Sequence, residues 1–270
     1  MKKILLLSTL LTASVHAQDA AAEMAKKLQN PLANIKAVMT DNAVGFNTGS
    51  TEDTSFNFQL QPVYAIDFEE QGFTFIPRGV IPILGIEPGA NLPILEDGRP
   101  ASSKSTWGLG DSIFQAFVAP HSDNKLKWGL GPQLSLPTST DRLLQGPGWG
   151  AGFAAIITRE ITTDISFAGI LGNHWGFDGN YNTMTIQPMV YYNIEAVPGL
   201  AIAYNATVAA DWSAPSEDRW TVPLGLTLSR AFDIGDGNGL EVSAGPYYNV
   251  SRPNGAADWQ FRFGINFLFP

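Results

Sequence analysis

The stretch that decides the fold closes the chain, and it reads Trp259-Gln260-Phe261-Arg262-Phe263-Gly264-Ile265-Asn266-Phe267-Leu268-Phe269. Every odd-numbered residue in it is large and apolar, whereas four of the five even-numbered residues are polar or glycine. Residues two apart share one face of a β-strand, so the pattern predicts a strand with one apolar face and one polar face. The same alternation recurs at residues 56–66, 126–136, 200–208 and 220–228.

The pattern extends along the chain and predicts an all-β protein of about twelve strands. We expect them at residues 36–48, 55–67, 73–85, 105–119, 125–137, 148–160, 163–176, 183–195, 199–212, 219–233, 239–251 and 257–269. The first strand alternates poorly, and Asp111 can turn to the polar face of its strand only if a bulge forms near Gly110. Prolines inside strands remove ladder donors, and those that fall there include Pro62, Pro82, Pro132, Pro188, Pro223 and Pro246.

The loops and the tryptophans indicate a membrane barrel rather than a soluble β-sandwich, which would show the same alternation. Only 15% of the residues are charged, against roughly 25% in an average soluble domain. The two longest predicted connections, 86–104 and 138–147, lie on the same side of the sheet. Six of the seven tryptophans fall at the predicted outer ends of strands. Both asymmetries are typical of a transmembrane, antiparallel up-and-down β-barrel in an outer membrane.

The first 35 residues differ from the rest of the chain. Lys2 and Lys3 precede a short apolar run and then Val15-His16-Ala17, a pattern that predicts a cleaved signal peptide at residues 1–17. Residues 18–35 predict a short helical segment, in the periplasm or inside the barrel lumen, because good helix formers run up to Asn30-Pro31. Residues 36–270 should then form the barrel, and the predicted location is the cell outer membrane.

The composition argues against several kinds of chemistry. A net charge of −9 disfavours nucleic-acid binding, which needs basic patches, and the absence of cysteine excludes thiolate sites. His121 lies near Ser122 and Asn124, the residue types of some outer-membrane hydrolases, but neighbours within one turn cannot form a catalytic triad. We therefore expect no catalytic residue, no metal site and no cofactor, in a protein that is not an enzyme.

A substrate path is expected along the polar faces of the strands. The side chains that should line it are Gln59, Gln61, Arg78, Asp111, Gln133, His174, Gln187, Asn205, Asp211 and Arg262. His174 has an alternative interpretation as a hydrogen-bonded packing residue. The opposite faces should meet lipid, and they carry Phe58, Leu134, Leu226 and Phe263.

Several short motifs carry a resemblance to a known family. They are Asn30-Pro31-Leu32-Ala33, Trp107-Gly108-Leu109-Gly110-Asp111, Gly131-Pro132, Leu136-Pro137-Thr138, Trp149-Gly150-Ala151-Gly152, Asn173-His174, Gln187-Pro188 and Asn266-Phe267-Leu268-Phe269-Pro270. The chain resembles a family of Gram-negative outer-membrane proteins that is labelled "transporter" and is related to the MetA-pathway phenol-degradation group. The resemblance implies a channel through which a small solute, hydrophobic or aromatic, diffuses passively. A structural or adhesive barrel without transport is the alternative function.

Two further resemblances concern the ends of the chain. Asn30 and Pro31 resemble the start of the Asn-Pro-Ala-like motif in the N-terminal hatch of fatty-acid-uptake channels, from which Leu32 departs. A proline at this position is also explained if it simply ends the helix. Phe269 resembles the aromatic end of an outer-membrane assembly signal, from which Pro270 departs. This resemblance implies the barrel-assembly machinery as a partner, besides the outer-membrane lipid.

Overall fold

The computed structural model describes residues 20–49, 52–87 and 104–270. The predicted signal peptide and most of the predicted loop 86–104 lie outside the described residues. The described residues form a closed antiparallel β-barrel of twelve strands with one short N-terminal helix. The predicted fold class is therefore confirmed.

The strands follow the chain in order around the barrel. Their bounds are β1 Lys36–Thr48, β2 Asp53–Tyr64 continued by Ile66–Phe68, β3 Phe73–Ile86, β4 Thr106–Leu109 continued by Ser112–Pro120, β5 Leu126–Leu136, β6 Gly150–Glu160, β7 Ile165–Gly176, β8 Asn182–Asn193, β9 Leu200–Asn205 continued by Val208–Asp211, β10 Trp220–Gly225 continued by Thr227–Gly235, β11 Asn238–Ser251 and β12 Trp259–Phe269. Two 3₁₀ turns lie at Glu69–Gln71 and Arg142–Leu144. Each strand pairs with the next, and β12 pairs with β1, so that Phe269 lies opposite Lys36. We call the end of the barrel that holds Lys36 and Phe269 the inner end.

The bulge predicted near Gly110 is present. Strand β4 is interrupted at Gly110 and Asp111, and the Asp111 side chain is buried. Its carboxylate accepts hydrogen bonds from the backbone N–H groups of Ser139, Gly146 and Gly148, at 2.7–3.0 Å. The bulge therefore turns a carboxylate inward, where it holds the outer loop between β5 and β6.

The prolines in the interior of the strands share one arrangement; they are Pro62, Pro77, Pro82, Pro132, Pro188, Pro223 and Pro246. Each pairs with one neighbouring strand and lies at an interruption of the ladder to the other. Pro132, for example, lies opposite Phe153 of β6, whereas the ladder to β4 is interrupted at this height. In an antiparallel pair, N–H groups are needed only at alternate positions. The prolines are therefore tolerated because the ladder that would need their missing donor is open there.

The outer face of the wall is apolar and exposed, as a lipid-facing surface must be. Leu134 and Leu226, two residues predicted to face lipid, are 42% and 59% exposed. No helix among the described residues has the length and hydropathy of a membrane-spanning segment.

Replacing Leu130 with arginine should test the lipid-facing assignment. Leu130 is 55% exposed near the middle of β5, and an arginine near the bilayer midplane costs about 2–4 kcal/mol of folding free energy. The matched control is Leu126→Arg, on the same face at the end of the same strand, where the cost falls to about 0–1 kcal/mol. Urea unfolding in lipid vesicles measures both. Equal losses for the two variants would contradict the assignment.

The N-terminal helix, residues 20–29, lies inside the barrel at its inner end. Its residues Met24, Ala25 and Leu28 pack against Ala231 and Leu268, whose side chains point into the lumen. Gln29 forms hydrogen bonds with Asn193 and Ser166, also at the inner end. The sequence is compatible with a helix in the periplasm or in the lumen, and the packing on Ala231 and Leu268 shows that it lies in the lumen.

Beyond the helix, the chain crosses the lumen before it enters the wall. The Asn30 side chain accepts a hydrogen bond from the Leu32 N–H at 3.0 Å, which stabilises the turn after the helix. Leu32 then packs on a buried apolar cluster that includes Ile76, Phe117 and Ile156 on three different strands. We call residues 20–35 the plug, because they occupy the inner end of the barrel.

Candidate solute path

A row of polar side chains follows the inner wall across β2 to β5. We call it the polar belt; it consists of Gln59, Gln61, Arg78, Gln115 and Gln133. Arg78 Nη2 donates to Gln61 Oε1 at 2.6 Å, and Arg78 Nη1 donates to Gln115 Oε1 at 3.1 Å. Gln61 then donates to Gln59 at 2.8 Å, and Gln115 donates to Gln133 at 2.9 Å. The belt members thus lie on the lumen faces of their strands, and their hydrogen bonds join β2 to β3, β3 to β4 and β4 to β5.

The arginine sets the orientation of the whole belt. A guanidinium only donates hydrogen bonds, so Gln61 and Gln115 must both turn their carbonyl oxygens toward Arg78. Their amide N–H groups therefore point away from Arg78 and donate onward. The belt ends where Gln133 Nε2 donates to the backbone carbonyl of Asn173, at 3.0 Å. Because every amide has a fixed direction, the belt presents a preorganised polar wall to the lumen.

A second polar group joins the first and last strands. Arg262 Nη2 contacts Asp41 Oδ1 at 2.5 Å, and the two side chains are 12% and 22% exposed. Between β1 and β12 the ladder is interrupted at residues 39–41. Thr40 bridges this interruption, since its N–H donates to Asn266 Oδ1 and its hydroxyl accepts from the Ile265 N–H. Side chains therefore complete the closure of the barrel where the backbone does not.

Two cavities lie along the barrel axis. The inner chamber lies above the plug, and Leu28, Asn30 and Pro31 form part of its floor. The outer vestibule lies at the outer end, where Asp218, Arg219 and Pro253 form part of its lining. Asp41 and Arg262 line both cavities. The ion pair therefore marks the boundary between chamber and vestibule.

The inner chamber is lined by side chains of two kinds. Its polar lining includes Gln61, Arg78, Gln187, Asn205 and Arg262. Its apolar lining includes Val63, Ile76, Phe117, Ile156, Ile170 and Met189. A chamber that combines apolar side chains with polar groups held in fixed positions can accommodate a small organic molecule.

Eight of the ten residues predicted to line a substrate path lie in these cavities or in the belt. Gln59 and Asp211 line the vestibule, Gln61, Arg78, Gln187 and Asn205 line the chamber, Arg262 lines both, and Gln133 is a belt member. Asp111 and His174 point inward but line neither cavity. His174 is 4% exposed, and its Nε2 is 2.9 Å from the Ser135 hydroxyl. Its surroundings match the alternative interpretation, a packing histidine.

Three inward-facing polar residues are not among the predicted ones, and two of them, Gln115 and Asp41, escape prediction for a physical reason. Gln115 lies in the strand whose parity the bulge at Gly110 inverts. Asp41 lies in β1, where alternation is poor. Glu241 is buried, with its carboxylate held by Ser229 and Asn266. An alternation pattern assigns faces only where the strand is regular.

His121, Ser122 and Asn124, the residue types of some hydrolases, do not form a catalytic arrangement. His121 contacts Asp67 at 2.8 Å, whereas the Ser122 hydroxyl accepts the Asn124 N–H. Among the described residues, no group of three or more His, Asp or Glu side chains could hold a metal ion.

Comparison with known proteins agrees with this architecture. The family model described as "Putative MetA-pathway of phenol degradation" matches residues 40–265. The COG4313 outer membrane channel from Pseudomonas putida F1 is 14% identical, with a TM-score of 0.59, and the match covers 87% of this chain and 96% of that one. The NanC porin is 11% identical, with a TM-score of 0.51, and the match covers 87% of this chain and 99% of that one. A search of curated proteins finds no match. The fold is that of an outer-membrane β-barrel.

Proposed function

Because the chain belongs to the MetA-pathway phenol-degradation family, we propose that it is an outer-membrane channel through which a small aromatic or hydrophobic solute diffuses passively. The observation that carries the proposal is the inner chamber, whose lining combines apolar side chains with polar ones two residues away on the same strands, such as Val63 with Gln61 and Ile76 with Arg78. An aromatic solute can lay its ring on Ile156, Ile170 and Phe117 while a polar substituent meets the belt. The name of the similar channel from Pseudomonas putida F1 is consistent with this function.

The proposed path follows the barrel axis from the vestibule to the chamber. A solute would enter past Gln59 and Asp211, pass the ion pair between Asp41 and Arg262, and reach the chamber. Barrels of eight strands are filled by side chains, and those of sixteen hold an aqueous channel. A twelve-stranded barrel with a plug fits a narrow path for one solute class better than a general pore.

The plug has the position of a hatch. Asn30 and Pro31 form part of the chamber floor, so residues 20–35 would restrict the axial way into the periplasm. The chain would reach the membrane after cleavage of residues 1–17, and the assembly machinery would bind β12, whose outward face carries Phe261, Phe267 and Phe269. The same aromatic face would contact the lipid.

Filling the chamber should abolish solute uptake. Ile170 lines the chamber on β7, so Ile170→Trp would place an indole in the path. The probe is N-phenylnaphthylamine, an apolar aromatic amine that lipopolysaccharide excludes and that fluoresces in lipid. Cells with the wild-type protein should take it up faster than cells without the protein, and the variant should lose this gain.

The matched control is Ile157→Trp on the lipid face of the adjacent strand, where Ile157 is 37% exposed. It should take up the probe like the wild type. Heat-dependent migration on a denaturing gel confirms that both barrels are folded. Wild-type cells no faster than cells without the protein would refute the proposed function.

A further inference from the structure

The longest interruption of a ladder in the described wall lies between β9 and β10. Residues 200–203 pair with 227–230, and residues 209–210 pair with 220–221. Both groups have the same register, so residues 204–208 face residues 222–226 without a shift. None of these five positions is paired. We call these two facing segments the seam.

Side chains take over the hydrogen bonds that the ladder lacks in the seam. The Tyr204 hydroxyl donates to the Pro223 carbonyl at 2.8 Å. The Tyr247 hydroxyl accepts from the Asn205 N–H at 3.2 Å and lies 2.7 Å from the Thr227 hydroxyl. The two tyrosine rings lie 6.0 Å apart. Two backbone groups of the seam, the Pro223 carbonyl and the Asn205 N–H, are therefore bonded by side chains that can rotate, instead of by the facing strand.

Two residues of β10 keep the seam from closing. Pro223 has no N–H to donate toward β9. Gly225 lies under the Tyr247 ring, and a Cβ there would be 2.7 Å from the ring atom Cγ. The ring of Tyr247 crosses β10 because residue 225 has no side chain. The opening in the ladder therefore follows from the sequence of β10.

The seam separates the inner chamber from the hydrocarbon. On the lumen side, Ala203, Asn205 and Thr227 line the chamber. On the lipid side, Leu224 and Leu226 are 52% and 59% exposed. The axial way out of the chamber is occupied by the plug. At the seam, the barrier consists of two tyrosine side chains and unpaired backbone.

We propose that the seam is a lateral portal, through which an apolar solute leaves the inner chamber into the membrane when the Tyr204 and Tyr247 rings rotate. This inference rests on the proposed function and adds the route of exit. The free energy of an apolar solute falls when it moves from the partly polar chamber into hydrocarbon. The exit therefore needs no other energy source. Rotation of these two side chains breaks fewer hydrogen bonds than separation of two strands that are paired along their length.

A covalent lock across the seam tests the portal. The variant Ala206→Cys/Leu224→Cys places cysteines at facing seam positions, and a short thiol-reactive crosslinker joins them; the chain has no native cysteine to interfere. We expect the lock to abolish N-phenylnaphthylamine uptake by intact cells. The matched control, Ile202→Cys/Leu228→Cys, joins ladder partners of the same two strands on the lipid face, and its crosslinking should leave uptake unchanged.

A second variant removes a bond instead of adding one. Tyr204→Phe deletes the hydroxyl that holds the Pro223 carbonyl, and we expect faster uptake of the probe. A barrel that still migrates in its folded form on an unheated gel shows that the wall is intact. A rate equal to or below that of the wild type would contradict the portal.

Tethering the plug separates the two routes of exit. In Met24→Cys/Gly239→Cys, the sulfur at position 24 takes the place of the Met24 Cγ atom. That atom lies 3.5 Å from the Cβ position of residue 239, a distance close to that in a disulfide. The portal predicts normal uptake when this tether is oxidised. Uptake that survives the seam lock but is lost on tethering would overturn the portal and leave the channel function standing. Absence of uptake by the wild type would refute both.

Discussion

Deleting residues 20–31 should raise the single-channel ion conductance of the barrel several-fold. The deleted residues fill the inner end of the lumen, where Met24, Ala25 and Leu28 pack on the wall. Without them the vestibule, the chamber and the inner end form one water-filled path. Planar bilayer recordings of the purified protein measure the effect, and heat-dependent gel migration shows that the shortened chain is folded.

The control for the deletion keeps the plug and fixes it. The oxidised Met24→Cys/Gly239→Cys variant should conduct as little as the wild type, and reduction should not change its conductance. Equal conductance of the deletion variant and the wild type would contradict the assignment of the plug as the axial block.

Asp41→Ala should lower the free energy of unfolding by about 2 kcal/mol, between the values for exposed and for fully buried ion pairs. The substitution leaves the Arg262 guanidinium in the lumen with the Gln260 amide as a hydrogen-bond partner and the Tyr247 ring 5.8 Å away. It also removes a bond between the first and last strands where their ladder is interrupted. Urea unfolding in vesicles measures the loss.

The double variant Asp41→Met/Arg262→Met provides the matched comparison for this pair. It removes both charges, so no unpaired charge remains, and most of the stability should return. If the double variant were as unstable as Asp41→Ala, the loss would come from packing rather than from the unpaired guanidinium. Lys36→Ala, which removes an exposed cation at the inner end of β1, should change stability little.

The sequence predicts the strands well because alternation with period two is a local property. All twelve predicted strands are present, and their ends differ from the predicted ends by no more than two residues. Gln61, Arg78 and Asn205 lie in regular segments, and they line the chamber as their parity predicts. For the same reason Gln115 and Asp41 escape prediction, since a bulge or a poor pattern breaks the parity that would assign them.

Other features depend on contacts between distant residues, and no local pattern reveals them. The helix 20–29 has the same sequence whether it lies in the periplasm or in the lumen, and only its packing on Ala231 and Leu268 selects the lumen. The seam likewise depends on how β9 and β10 meet. Its signals in the sequence are Pro223, which marks a position without a ladder donor, and Gly225, which leaves room for the Tyr247 ring.

The prolines of the wall also bear on how the barrel assembles. A strand that slips by one residue exchanges every hydrogen-bonded position with a non-bonded one. With Pro82 of β3 or Pro188 of β8, the slipped pairing would put a residue without an N–H where a donor is required. Each proline thus makes the neighbouring register costly and leaves the native one unaffected. Such positions, spread over six strands, therefore disfavour wrong strand registers while the barrel assembles.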